Sequence, residues 1–215
     1  MPKSTRVVPV RFPVNELFES VQGEGANAGL SVVFLRLGGC NLACPWCDTD
    51  SSIVEMLDVE TILNRLSAFL VRRLVLTGGE PLIHPSLDIL LTHLKQAGYW
   101  IALETNGLIA PAPPLLQKLD YISASPKAYA AADYLESRMI RQADEVRIVV
   151  DGDVFDFCKR MRHQITAARY FLSPCTRSGK MNVAETLERL KRLNADEHES
   201  PWRLSLQLHK LIGIR

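Results

Sequence analysis

The chain has 215 residues, of which 47% are hydrophobic and 23% charged, and its formal net charge is +1. That length suits a single domain over residues 1–215 with room for a substantial core, and no run of about eighteen apolar residues offers a membrane span. The near-neutral charge gives no reason to expect nucleic acid or an anionic membrane as a partner, which leaves a small-molecule ligand as the default. Met1-Pro2-Lys3-Ser4-Thr5-Arg6 is basic but runs into Pro9, Arg11 and Pro13 instead of an apolar stretch. This argues against a signal peptide and for the cytoplasm. Five cysteines, three of them crowded together, fit metal ligation in a reducing compartment better than a disulfide framework.

In chain order, Asn15 to Ser20 reads as a short extended segment. It runs into Gln22-Gly23-Glu24-Gly25, either a ligand loop or a plain hairpin connection. Val32-Val33-Phe34-Leu35-Arg36-Leu37 is a β-forming run interrupted by Arg36, whose guanidinium needs either an internal acid or a ligand carboxylate. Next comes Cys40-Asn41-Leu42-Ala43-Cys44-Pro45-Trp46-Cys47. Thiolates spaced CxxxCxxC can converge on one soft centre, either zinc or an iron–sulfur cluster. No fourth ligand follows at short spacing. Cys158 and Cys175 lie far downstream, in segments that read as a helix and a strand end, where each fits a small buried apolar residue. One metal position is therefore expected to be open to an external molecule; the alternative is a structural zinc knuckle completed by a distant residue.

Helical spacing from Val59 to Arg72, through Ile62, Leu63, Leu66, Phe69 and Leu70, precedes a strand at Leu74–Leu76 and the turn Thr77-Gly78-Gly79-Glu80-Pro81. The pattern then repeats. A helix over Ser86–Ala97 leads to a strand over Trp100–Glu104 that ends in Thr105-Asn106-Gly107. A short helix over Pro114–Lys118 leads to a strand over Tyr121–Ala124 that ends in Ser125-Pro126-Lys127. Helices are expected over Asp133–Gln142, Asp156–Ile165 and Val183–Leu193, with strands at Glu145–Val150 and Arg169–Leu172. A last strand is expected over Arg203–Leu208, after a solvated loop at 196–201. Alternation of this kind implies right-handed crossovers and a mostly parallel sheet. About six such units are too few for an eight-stranded barrel, so the predicted fold is α/β, a partial (β/α)6-type barrel. Its polar and glycine-rich turns fall at the carboxyl ends of strands, where α/β folds place their sites.

The CxxxCxxC loop after one strand, with Gly78-Gly79-Glu80-Pro81 after the next, resembles the radical S-adenosylmethionine superfamily. Within it, Glu19 to Gly25, Phe34 to Asn41, Cys47-Asp48-Thr49, Glu104 to Gly107, Ser125-Pro126-Lys127 and Gln207 to Lys210 resemble the 7-carboxy-7-deazaguanine synthase family, nearly end to end. The resemblance implies a [4Fe–4S] cluster on Cys40, Cys44 and Cys47 whose remaining iron binds S-adenosyl-L-methionine, fed by a flavodoxin- or ferredoxin-type electron donor. It implies an adenosyl radical that takes the C6 hydrogen of 6-carboxy-5,6,7,8-tetrahydropterin, leading to 7-carboxy-7-deazaguanine with loss of ammonia. It also implies Mg²⁺ held by Thr49, and a homodimer. Matched to the family, Gln22, Glu24, Arg36 and His209 are substrate positions, with Arg36 on the carboxylate. Thr77, Gly78, Gly79, Glu80, Thr105, Asn106, Ser125, Lys127 and Gln207 are cofactor positions. Many relatives carry Gln-Pro where this chain has Ser173-Pro174-Cys175, so no contact is assigned there. Two other readings stay open: a glycyl-radical-type activating enzyme acting on a partner protein, and a non-catalytic iron–sulfur or zinc module.

Overall fold

Strands and helices alternate along the residues that the computed structural model describes, which are 9–135, 138–177, 179–195 and 201–214. β1 (Arg11–Val21) folds back through the Gln22–Gly25 loop onto β2 (Ser31–Leu37), and its other edge pairs with β3 (Glu55–Asp58); both pairings are antiparallel. There follow α1 (Val59–Ser67), β4 (Arg73–Gly78), α2 (Leu87–Gln96), β5 (Trp100–Thr105), α3 (Pro113–Leu116), β6 (Tyr121–Ala124) and β7 (Gln142–Val150). The chain continues through α4 (Phe155–Gln164), β8 (Thr166–Pro174), the hairpin of β9 (Thr176–Arg177) and β10 (Lys180–Met181), α5 (Val183–Leu193), β11 (Trp202–Leu204) and α6 (Leu208–Ile212). The main sheet runs β11-β8-β7-β6-β5-β4-β2-β1-β3, and every pairing from β11 to β2 is parallel. This is the expected α/β alternation in a mixed sheet.

The sheet must be curled, as a simple length argument shows. Seven inter-strand spacings separate β1 from β11, roughly 34 Å in a flat sheet at about 4.8 Å each. Yet Leu208 N–H donates to Gly23 O at 2.9 Å. The few residues that carry the chain from β1 to Gly23 and from β11 to Leu208 span at most about 20 Å at roughly 3.3 Å per residue. Only a rolled sheet lets the hairpin loop and the segment after β11 meet.

Rolling separates two faces. On the convex face Val33, Leu35, Leu37, Leu74, Leu76, Ile101 and Leu103 are buried against Ile62 and Leu66 of α1 and Leu87, Leu90, Leu91 and Leu94 of α2. Ile122, Ala124, Val146, Ile148, Val150 and Leu172 do the same with Phe157, Cys158 and Met161 of α4. The start of α1 is fixed locally, because the Asp58 side chain accepts from Thr61 N–H at 2.9 Å as an N-cap.

Some expected elements differ. α1 stops at Ser67 instead of Arg72, and Leu70, placed on its core face by spacing, is 96% exposed in the connection to β4. The helix expected over Asp133–Gln142 is replaced among the described residues by 3-10 turns at Ala128–Ala130 and Asp133–Leu135, and Gln142 already belongs to β7. Tertiary bonds outcompete the helix there: buried Tyr134 donates its hydroxyl to Asn106 O and accepts from Lys127 N–H, while Ile140 N–H donates to Gly107 O. The last strand ends at Leu204, and Leu208 opens α6 instead. Neither β3 nor the β9–β10 hairpin was expected. The N-terminal hexapeptide and most of the loop read at 196–201 lie outside the described residues.

Leu103 is fully buried on β5 between Leu76 and Ile122 of the neighbouring strands. Leu103→Ala is expected to cost about 2–5 kcal/mol in urea unfolding, whereas Leu70→Ala should stay within about 0.5 kcal/mol of the parent.

Candidate active site

Alternation along each strand puts every second residue on the concave face. At its base Val32, Val75 and Ala102 pack with Phe34, Trp100 and Tyr121. Towards the carboxyl ends the same positions become polar: Arg36 stands beside Thr77, and Glu104, Ser123 and Glu145 are in register across β5, β6 and β7. Arg36, Thr77 and Glu104 border a cavity of about 750 Å³.

Buried Arg147 on β7 organises that face. Its Nη1 donates to Glu24 Oε2 and its Nη2 to Glu104 Oε1, both at 2.6 Å, while Nε donates to Ser123 Oγ at 3.0 Å and lies 3.1 Å from Glu145 Oε1. Burial works against the guanidinium, but Glu104, Glu24 and Glu145 outweigh it and hold Arg147 above the usual arginine range. Glu104 is the reciprocal case. Burial pushes it up, but Arg147, together with hydrogen bonds from Gln22 Nε2 at 3.1 Å and Thr77 Oγ1 at 3.0 Å, holds it below the usual carboxylate range. Glu145 accepts from Ser123 Oγ, from Tyr121 OH and, at 2.7 Å, from Ala26 N–H, so it pins the hairpin loop that carries Gln22 and Glu24.

The cysteine loop borders the same cavity. Cys40 and Cys47 are exposed, Cys44 is half-buried, and all three are free thiols that line the cavity. Cys47 N–H donates to Cys44 O, Leu42 N–H to Cys40 Sγ, and Ala43 N–H to the Tyr129 hydroxyl. Burial raises the Cys40 thiol, partly offset by the Leu42 N–H. The loop rests directly on the glycine turn. A Cβ on Gly79 would fall 1.8 Å from Gly39 O, and one on Gly78, whose φ is 140°, would fall 2.0 Å from Leu37 O. Among the described residues no three His, Cys, Asp or Glu side chains form a finished metal cage. What the fold provides is three thiols on one short loop at one cavity wall, the donor set that a soft iron–sulfur centre takes.

The expected site residues largely converge. Gln22, Glu24, Arg36, Thr49, Thr77, Gly78, Gly79, Thr105, Asn106, Ser125, Lys127, Gln207 and His209 all line the cavity with the cysteines. Glu80 does not. Fully buried behind the wall, it accepts from Thr105 Oγ1 at 2.8 Å, Asn106 N–H at 2.7 Å and Leu82 N–H at 3.1 Å. It braces the strand-end residues from behind. Arg36 has an internal partner, donating from Nε to Glu16 Oε1 on β1 at 2.7 Å. Lys127 donates to Ser125 Oγ at 2.7 Å and sits 5.4 Å from the Trp46 ring centroid, its pKa lowered by burial. The segment after β11 closes the rim: His209 Nδ1 would lie 2.1 Å from a Cβ on Gly23, and Gln207 and Lys210 both donate to Asp48 Oδ2. Cys158 is buried in α4, and Cys175 is buried at the end of β8 but touches the cavity.

Sequence reasoning missed Arg147 and gave Glu104 no role of its own. The signal for Arg147 was present, since a charge inside the Val146–Val150 apolar run raises the same question as Arg36. Asp48, Trp46 and Lys210 line the cavity as well.

Residues 35–149 match the Radical SAM superfamily. Over 95% of its length the chain is 50% identical to the 7-carboxy-7-deazaguanine synthase of Neisseria meningitidis serogroup B, covering 94% of that protein. Over 94% it is 47% identical to the synthase of the same name from Haemophilus influenzae, again covering 94% of it. The chain belongs to the 7-carboxy-7-deazaguanine synthase family. The solved structure of QueE from Escherichia coli superposes with a TM-score of 0.65 at 25% identity, over 93% of this chain and 95% of that one. Membership of the radical S-adenosylmethionine superfamily implies a [4Fe–4S] cluster and S-adenosylmethionine, in accord with the thiol loop. Relatives of the synthase family matching over nearly the whole chain do not favour the activating-enzyme reading.

Both oxygens of Glu80 face backbone N–H groups, so an amide in either orientation sets its own N–H₂ against one of them. Glu80→Gln should therefore cost about 1–3 kcal/mol in chemical denaturation; an unchanged midpoint would remove Glu80 as the brace.

Proposed function

We propose that this protein is a carbon–nitrogen lyase that contracts 6-carboxy-5,6,7,8-tetrahydropterin to 7-carboxy-7-deazaguanine with release of ammonia, in queuosine or another 7-deazapurine pathway in the cytoplasm. The observation that carries the reading is the meeting of two features in one cavity: a loop of three free thiols, and a face where Arg147 holds Glu24 and Glu104 and Gln22 donates to Glu104. When bound at Cys40, Cys44 and Cys47, the cluster with S-adenosylmethionine supplies reversible hydrogen-atom abstraction.

The chain's own groups then bind and orient. Carboxylates on Glu24 and Glu104 accept from the N–H groups of a 2-amino-4-oxo ring, and Gln22 can read the neighbouring donor or acceptor. Arg36 and His209 serve the substrate end, with Arg36 turned to its carboxylate while Nε remains on Glu16. Thr77, Gly78, Gly79, Thr105, Asn106, Ser125, Lys127 and Gln207 cradle S-adenosylmethionine, and the glycines let the ligand approach bare backbone. Thr49, next to the last cysteine and facing the cavity, holds Mg²⁺ with substrate oxygens, a hard ion that does not compete for thiolates. The exposure of Cys40 and Cys47 supports reduction by a docked flavodoxin or ferredoxin. Exposed Ile53, Val54 and Met56 beside the edge strand β3 support a homodimer. No described helix is long and apolar enough to cross a membrane.

Anaerobically reconstituted protein should convert the pterin to a product of the mass of 7-carboxy-7-deazaguanine, read by mass spectrometry, with one ammonia per turnover. Cys40→Ala, Cys44→Ala and Cys47→Ala should each abolish cleavage of S-adenosylmethionine, while Cys158→Ala and Cys175→Ala keep the cluster. Absence of that product from wild-type protein with a full cluster would sink the reading.

Mg²⁺ is tested separately by titrating turnover. Thr49→Ala should flatten the Mg²⁺ response with cluster content unchanged, and superimposable titrations would take Thr49 out of the metal site. On the same footing Arg36→Lys, which keeps charge but loses the planar fork, should lower kcat/KM for the pterin by about tenfold or more, with S-adenosylmethionine affinity preserved.

A further inference from the structure

Tyr129 does not line the cavity, yet it touches the cysteine loop from behind. It lies in the 3-10 turn Ala128–Ala130 that follows β6, and it is 43% exposed. The turn is a firm support. Ala130 is buried in the core around α4, and its N–H donates to Lys127 O, while the Lys127 N–H is held by the buried Tyr134 hydroxyl. From that support the Tyr129 hydroxyl accepts from Ala43 N–H at 3.2 Å. A phenol also has one hydrogen to donate. With Ala43 N–H on the oxygen, that hydrogen is left for a second partner, and Cys44 supplies the acceptor: partial burial and a hydrogen bond to the Cys44 side chain push the Tyr129 pKa up to about 12. Trp46 and Lys127, the neighbouring donors, are directed elsewhere, the indole to Asp151 Oδ2 at 2.9 Å and the ammonium to Ser125 Oγ at 2.7 Å. Cys44 is also the half-buried member of the three thiols, while Cys40 and Cys47 are exposed.

We propose that Tyr129 is a positioning residue for the iron–sulfur centre, its hydroxyl anchoring the cysteine loop at Ala43 and donating to the Cys44 thiolate. The extra charge of a reduced cluster spreads onto its thiolates, and a donor on sulfur stabilises that charge, so the contact raises the reduction potential. The chain from amide to phenol to sulfur strengthens the effect, since each hydrogen bond polarises the next. Tyr129 in this way makes the cluster easier to reduce from outside. The inference rests on the cluster that superfamily membership implies and not on the pterin reaction.

Two variants of the full chain test it. Tyr129→Phe keeps the ring and removes the hydroxyl, and Tyr129→Leu removes both. In cluster-free protein the Ala43 amide of Tyr129→Phe should exchange with deuterium several-fold faster than in the parent. After anaerobic reconstitution Tyr129→Phe should carry the same iron as the parent and melt within about 2 °C of it, as an exposed substitution does. A redox titration followed by electron paramagnetic resonance should then show reduction about tenfold less favourable, a midpoint about 59 mV lower for one electron. A parent-like midpoint in fully loaded Tyr129→Phe overturns the proposal, and if Tyr129→Leu alone is displaced, the cover of the ring and not the hydroxyl sets the potential. Unchanged Ala43 exchange overturns the anchoring. Loss of iron together with a lowered melting temperature overturns the proposal as well, being the signature of a residue needed for folding. Failure of wild-type protein to form the deazapurine would count against the proposed reaction alone, because the potential is read without pterin.

Discussion

Arg147 is buried at a point where a lone guanidinium could not survive, and three carboxylates from three parts of the chain make it tolerable. Taking one partner from a buried pair typically costs about 3–5 kcal/mol, against about 0–1 kcal/mol for a surface pair such as Lys191 with Glu188. The network therefore ranks well above the exposed ion pairs in what it imposes on the fold. Because Glu24 comes from the hairpin loop, Glu104 from β5 and Glu145 from β7 itself, one side chain fixes how far these elements stand apart. Three carboxylates around one guanidinium also leave the wall electronegative. Such a wall favours a ligand edge rich in N–H donors and disfavours an anionic edge.

The cysteine-loop wall depends on an absence of side chains. The cysteine loop and the glycine turn are in backbone contact, and Glu80 N–H donates to Gly39 O at 2.9 Å across that contact. The position of the thiols is thus set by the ends of β2 and β4. Those strands are in turn held by the apolar convex face and its helices. Apolar packing outside and ion pairing inside are two independent supports for one curled sheet.

Much of this was legible from local pattern. The β/α rhythm was readable because strands buried on both sides are continuous apolar runs, and Tyr121–Ala124 and Val183–Leu193 fall where spacing puts them. What escaped was decided by distant partners. The segment after Asp133 has helical composition, but Tyr134 is claimed by Asn106 and Lys127, and no periodicity records such a bond. Arg147 lies 123 positions from Glu24 and 43 from Glu104, so its role shows only once the sheet is assembled. Arg36 was recognised as a charge needing a partner, with an internal acid and a ligand both open; Glu16 supplies the internal partner while the side chain still reaches the cavity. Most of the expected strand-end residues line the cavity, because such turns are where this architecture gathers its polar groups. Glu80 was read as a cofactor position by resemblance, and its carboxylate faces the Thr105 hydroxyl and the Asn106 and Leu82 amides behind the wall, a facing that spacing does not encode.

The short α6 sits on Gly23 through the Leu208 amide and on the cysteine loop through Asp48, and Ile214 just beyond it still borders the cavity. Polypeptide appended after this helix, as in a gene fusion or a purification handle, would leave from the mouth of the cavity and share that opening with incoming ligands. Where this protein is tethered to a surface or to a redox partner therefore also bears on access to its interior.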